Sequence, residues 1–140
     1  MYVLDTNVVS ELMRPMPDPS VETWVAGHRA AHLHFSSIGE AEIRFGVAIM
    51  PAGRRREALA AAIDGLMCED FSGRVLPFDS AAARAYAEIA AARRSVGRPV
   101  SQADCQIAAI ARAHGLALAT RNVRDFAGMG IEITDPWVSA

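Results

Sequence analysis

The chain has 140 residues, with 16 acidic against 14 basic side chains and a formal net charge of −2. At roughly 100–200 residues per domain, this length predicts a single domain over residues 1–140, with room for a real core. Hydrophobic residues at 51% and charged residues at 21% exclude wholesale disorder. No run approaches the roughly 18 apolar residues of a membrane span, and the start MYVLDTNVVSE lacks the basic flank of a signal peptide. The expected location is the cytoplasm.

In chain order, Tyr2-Val3-Leu4 is a β-prone run ended by Asp5-Thr6-Asn7, residues that favour turns and helix caps. A short helix through Val8, Val9 and Leu12 is expected to break at Pro15, Pro17 and Pro19, and Ser20 to open a second, with Val21, Trp24 and Val25 at helical spacing. Residues 32–35 read as the second strand. Ser36-Ser37 caps a helix over 38–50, stopped by Pro51-Ala52-Gly53, and 54–71 is helical with Leu59, Ile63, Leu66 and Met67 as its stripe. Residues 74–77 read as the third strand. Asp79 then caps an alanine-rich helix whose Arg93-Arg94 complements the C-terminal dipole before Gly97 and Pro99. Ser101 opens a helix running to His114-Gly115, 116–119 is the fourth strand, and 131–133 a candidate fifth.

There is no internal repeat or linker. Short apolar strands alternating with helices predict an α/β sandwich with a mostly parallel sheet, in which ligands gather outside the carboxyl ends of the strands. Asp5 ends the first strand; Thr120, Asn122 and Asp125 follow the fourth.

Cys68 and Cys105 lack CxxC spacing and read as two small buried thiols. The histidines, His28, His32, His34 and His114, form no HExxH pattern; His32 and His34 would share a strand face, but two ligands make a weak metal case. Every basic residue is arginine. The near-neutral charge gives no global nucleic-acid signal, so such binding must be local.

Four carboxylates define the candidate chemistry. Glu40 and Glu42, about 200° apart on one helix, cannot serve the same site. Glu42 lies on the stripe of Ile38, Phe45 and Ile49, where a carboxylate is costly without a partner, whereas Glu40 stands four before Arg44, ready for a surface ion pair. Asp104 shares a helix face with Ile107, Ala108 and Ala111, although Ser101-Gln-Ala-Asp104 also has the form of a capping box. Asp5 and Asp125 are each unremarkable alone. Together these acids at one end of a sheet would repel one another, and a hard divalent cation, Mg²⁺ with Mn²⁺ as a substitute, resolves that repulsion. Metal-assisted phosphodiester hydrolysis is the reaction class that uses such a set.

The segments LDTNVVSEL, EAEIRFG, SQADCQIAAIA and ATRNVRDF resemble, in order and spacing, the motifs of the PIN domain, and more narrowly of VapC-type toxins of bacterial type II toxin–antitoxin modules. GRRREALAAAI, RVLPFDSAAARAYAEIAAARR and the final DPW are similar to the FitB-like branch, so the likeness runs from Met1 to Trp137. The resemblance implies a PIN-like three-layer α/β/α sandwich with four to five strands. It further implies a Mg²⁺-dependent endoribonuclease neutralised by a small DNA-binding antitoxin of the VapB or FitA kind. By the resemblance, Asp5 and Asp104 are core metal ligands, Asp125 completes the acidic pocket, and Glu42 helps hold the metal or orient water. Asn7 and Thr120 would hydrogen-bond and position the carboxylates. Gly39, where the branch usually has a small polar residue, and Cys105, where alanine is common, depart from the pattern.

The basic run Arg54-Arg55-Arg56 reads as a solvated helix start or as an RNA or antitoxin contact. Apolar surface on the helices of residues 8–25 and 38–71 could line a groove for an antitoxin peptide, whose arginine would block the acids. A homodimer, and a larger hetero-oligomer with the antitoxin, is expected from the resemblance. Two other readings compete: a metal-dependent nuclease on DNA or flaps, disfavoured by size, and a PIN scaffold acting chiefly as a subunit of an antitoxin–operator DNA complex. A phosphoacceptor receiver domain is excluded because the chain has no lysine.

Overall fold

A computed structural model describes residues 1–138; the last two residues of the expected domain lie outside the described residues. Five short strands form one sheet: β1 (Tyr2–Leu4), β2 (Leu33–Ser36), β3 (Val75–Leu76), β4 (Ala117–Ala119) and β5 (Ile133–Thr134). Their order is β3-β2-β1-β4-β5 and every pairing is parallel. The chain winds outward from β1 to β3, then crosses back to lay β4 and β5 on the other side. The sheet order therefore reverses between β1 and β4, the place where open α/β sheets present their ligand crevice.

The helices are α1 (Thr6–Leu12), α2 (Pro19–Ala26), α3 (Ser37–Ala48), α4 (Arg54–Gly65), α5 (Ser80–Ser95), α6 (Gln102–Ala113) and α7 (Val123–Phe126). Alternation along the strands sends side chains to opposite faces and splits the core in two. Leu4, Leu33, Phe35 and Ala119 pack with Val8, Val9, Trp24, Ile43 and Ile63 on one face. Val3 and Leu118 pack with Ile89, Ile107 and Phe126 on the other. The result is the expected three-layer α/β/α sandwich. Among the described residues no helix is long and apolar enough to cross a membrane.

Side-chain caps account for most helix starts. Asp5, Asp18, Ser36, Asp79 and Ser101 each accept a hydrogen bond from a backbone N–H at the start of the helix that follows. Pro19 is not a breaker: it occupies the first position of α2, where its missing N–H costs nothing, and Asp18, not Ser20, is the cap. Gly97 and Gly115, with φ of 69° and 65°, close α5 and α6 in the left-handed region open to glycine.

Other expectations need correction. His32 ends a 3₁₀ turn (Ala30–His32), held by its N–H to the Arg29 carbonyl at 2.9 Å, so it shares no strand face with His34. The helix expected over 54–71 yields after Gly65 to a π turn, Leu66–Asp70. In that segment Met67 and Phe71 turn inward and leave Cys68 exposed; only Cys105 is the buried thiol expected. Asp125, which follows the fourth strand, lies in the short helix α7.

The largest revision concerns α3. Its buried side carries Gly39 and Ile43, whereas Phe45 and Ile49 are 65% and 67% exposed and Glu42 is exposed with them. Gly39 has a steric reason: a Cβ there would lie 2.4 Å from Cε1 of the buried Phe35 ring. The departure noted at this position is thus filled by a core aromatic.

Candidate functional site

The first strand ends at Asp5, and the turn into α1 makes its carboxylate the cap of that helix. Oδ1 accepts from the Thr6 N–H at 2.8 Å. Oδ2 accepts from the Thr120 hydroxyl at 2.7 Å, and Thr120 Oγ1 in turn accepts from the Asn122 N–H at 3.0 Å. Thr120, fully buried, directly follows β4, so the two strands flanking the switch point are tied through one carboxylate. Asp5 is only 4% exposed.

Thr6 orients a second acid. Its hydroxyl donates to Glu42 Oε1 at 2.6 Å, bringing α3 to the mouth of the cleft. Asp104, half-buried in the first turn of α6, comes from the opposite side; its N–H donates to Ser101 Oγ at 3.2 Å, completing the Ser101 half of the capping motif. Asp5, Glu42 and Asp104 line a cleft of about 530 Å³, together with Thr6, Asn7, Ser10, Glu11, Arg14, Arg121, Asn122 and Trp137.

Burial pushes the Asp5 carboxyl up from an ordinary 3.8 to about 6. The bonds from Thr120 and Thr6 pull it back, and the charges of Asp104 and Glu42 add to the rise. Burial also raises Asp104, opposed by its bond with Ser101 and reinforced by Glu42 and Asp125. Among the described residues, the ion pairs run Arg14–Glu11, Arg44–Glu40, Arg44–Asp64 and Arg112–Glu88, and none reaches Asp5, Glu42, Asp104 or Asp125. The cleft therefore concentrates negative charge on Asp5, Glu42 and Asp104 that no ion pair among the described residues neutralises.

Each sequence candidate has a definite place. Asp5, Glu42 and Asp104 converge. Asp125 is exposed and outside the cleft lining, close enough for its charge to act on Asp104, while Arg93 bonds its backbone carbonyl at 3.1 Å. Thr120 bonds a carboxylate as expected; Asn7 lines the cleft but its Oδ1 accepts from the Arg121 N–H at 3.5 Å. Glu40 makes the surface pair with Arg44 at 2.7 Å. Glu42 was singled out for a buried face it does not occupy; the Thr6 hydroxyl, unrecognised in the sequence, is what holds it.

Sequence reasoning also missed Glu11, Arg14, Arg121 and Trp137. Glu11, 7% exposed, accepts from the Asp18 N–H at 3.0 Å and from Arg14 at 3.2 Å through both oxygens. The Glu11–Arg14 spacing of three residues was the only available signal. Arg121 lies over the Trp137 ring at 5.2 Å, a pairing no local spacing announces.

A second, more apolar groove adjoins the cleft, sharing Thr6, Ser10, Arg14 and Glu42 with it. Met13, Ile43, Val47 and Leu59 line it, and Arg55 of the basic run stands on its wall. Among the described residues, no three His, Cys, Asp or Glu side chains are drawn together closely enough to hold a metal ion.

Comparison with known proteins places the chain in a family. The PIN domain family model matches residues 2–131. The chain is 44% identical over 140 residues to a protein named VapC ribonuclease Y4jK of Sinorhizobium fredii, covering 100% of both chains. It is 36% identical to Toxin FitB of Neisseria gonorrhoeae, covering 98% of this chain and 99% of that one. A solved structure of FitAB bound to a DNA fragment superposes with a TM-score of 0.93 at 34% identity, covering 100% of this chain and 98% of that one. On fold and sequence together, the chain belongs to the PIN domain family, within its VapC and FitB group.

Proposed function

We propose that this protein is the toxin of a type II toxin–antitoxin module, a Mg²⁺-dependent endoribonuclease neutralised by a cognate VapB/FitA-like antitoxin. The observation that carries the reading is that Asp5, Glu42 and Asp104 line one cleft at the β1–β4 switch point, with Asp5 raised to about 6 and, among the described residues, no cation paired to any of them. An all-oxygen donor set suits a hard cation. Mg²⁺ is usually bound through one or two carboxylates, with waters and substrate phosphate completing its shell, so a tight cluster of three is not required. Asp5 and Asp104 would hold it, Glu42 would assist or orient the attacking water, and Asp125 would act from the rim. When bound, the ion would supply charge neutralisation on the phosphodiester and an activated water. The bonds from Thr120 and Thr6 favour the ionised form of Asp5 against its burial and fix its direction, and Thr6 fixes Glu42 as well.

The apolar groove beside the cleft fits an antitoxin segment, and its shared residues would lead such a segment toward the acids. An arginine from that partner, set among the carboxylates, would neutralise them. A homodimer, and a larger assembly with the antitoxin, belong to the same reading. A second reading, a subunit of an antitoxin–operator complex with regulatory output, draws on the likeness to a DNA-bound FitAB assembly.

Cleavage of a mixed cellular RNA pool by antitoxin-free protein, with Mg²⁺, with EDTA, and with Asp5→Asn, separates the two. Discrete products that vanish with chelator and in the variant are expected. Folded protein that cleaves nothing would favour the regulatory reading.

A further inference from the structure

The cleft contains two cations, Arg14 and Arg121, against four carboxylates. Arg14 is committed to both oxygens of Glu11. Arg121 has no carboxylate partner among the described residues; its guanidinium rests over the indole of Trp137 at 5.2 Å. Its backbone is tied at the site's edge: its N–H meets Asn7 Oδ1, and its neighbours Thr120 and Asn122 belong to the hydrogen-bond chain that ends on Asp5. Trp137 is also held, its backbone N–H donating to Asp135 Oδ1 at 2.9 Å while the side chain packs against the core between the sheet and α1–α2. Among the described residues it is the only aromatic lining the cleft.

A polyanion entering an acidic cleft needs a cation not already neutralised, and single-stranded nucleic acid gains affinity by stacking on aromatic rings and guanidinium planes. We infer that Arg121, seated on Trp137, is the binding wall for the RNA nucleotide next to the cleaved bond, with the guanidinium taking its phosphate or stacking on its base. The inference rests on the ribonuclease reading and adds residues outside the carboxylate set. Arg121 and Trp137 act in substrate binding, not in the chemical step.

The test measures binding and turnover separately. Binding of a labelled short single-stranded RNA is followed by fluorescence anisotropy in the Asp5→Asn background, with Arg121→Ala, Arg121→Lys and Trp137→Phe added singly. Arg121→Ala is expected to weaken binding about tenfold and to lower the salt dependence by roughly one phosphate contact, with Arg121→Lys intermediate. In otherwise wild-type protein, Arg121→Ala is expected to raise KM by about the same factor with kcat nearly unchanged. Trp137→Phe should lose a smaller part of the affinity and leave the salt slope intact. Unchanged Kd and KM in Arg121→Ala overturn the inference, as does a variant that weakens only antitoxin binding. If wild-type protein cleaves no RNA yet Arg121→Ala still weakens RNA binding, the ribonuclease reading falls and the wall stands. If wild-type protein neither cleaves nor binds RNA, both fall.

Discussion

The two ends of α1 each hold a buried carboxylate, and the protein treats them in opposite ways. Glu11, at the C-terminal end, is compensated: Arg14 meets both its oxygens and the Asp18 N–H donates to one. Asp5, at the N-terminal end, receives one N–H and one hydroxyl, faces Asp104 and Glu42, and pairs with no cation among the described residues. Burying a charge is costly unless it is paired and hydrogen-bonded. Glu11 meets that condition and clasps the turn from α1 into α2. Asp5 does not, and its residual charge is available to a ligand. The contrast separates an acid that serves the fold from one that serves a site.

The sharpest way to break the comparison is to neutralise Asp5. Asp5→Asn is expected to abolish Mg²⁺-dependent RNA cleavage, by 100-fold or more, while making the metal-free protein more stable at pH 7.5. An acid whose folded value lies above its unfolded one binds more protons in the native state. Its ionisation therefore removes stability as pH rises from about 4 through 6, by about 3 kcal/mol in all. Urea denaturation across this range should show the variant's advantage growing with pH and vanishing below pH 4. A variant less stable than wild type at pH 7.5 would place Asp5 with Glu11.

Glu11→Ala should give the opposite sign. It leaves the Asp18 N–H without its acceptor and Arg14 without its partner, at a cost of about 1–3 kcal/mol by the same denaturation. Thr120→Val then sharpens the Asp5 side. Without the hydroxyl donor the carboxyl rises further, so the acid limb of the pH–rate profile should shift upward and cleavage at pH 7 fall about tenfold. The smallest effect belongs to Glu40→Gln, whose surface pair with Arg44 is worth under about 0.5 kcal/mol. It should leave cleavage intact where Glu42→Gln lowers it, which also tests the assignment of the two glutamates.

Much of this architecture was readable locally. Asp5, Ser36, Asp79 and Ser101 announce helix starts because a short polar side chain beside free N–H groups acts within a few residues. The Glu40–Arg44 pair was likewise a matter of spacing. Asp18-Pro19 was misread because proline at a helix's first position looks, in sequence, like proline that ends one. On α3, apolar and small residues surround the helix, so the stripe of Ile38, Glu42, Phe45 and Ile49 read from periodicity competes with a second face, Gly39-Ile43-Val47, that only the structure reveals. Packing against Phe35 chose the second. The burial argument for Glu42 thus failed, while the family resemblance still names it and the Thr6 hydroxyl brings it to the cleft.

The amino-acid sequence by itself determined which residue types fall at the strand ends and helix starts, because caps, turns and alternation depend on near neighbours. It thereby set the alternation of strand and helix and the places of Asp5 and Asp104 at helix starts. Tertiary structure alone decided that β1 and β4 lie side by side, 115 positions apart at the Asp5–Thr120 bond. It alone decided that Asp125 stays on the rim, that Arg14 is committed to Glu11 while Arg121 is not, and that Trp137 comes to rest beneath Arg121. Those outcomes depend on which distant groups compete for the same space and the same charge, and that competition exists only once the sheet has assembled.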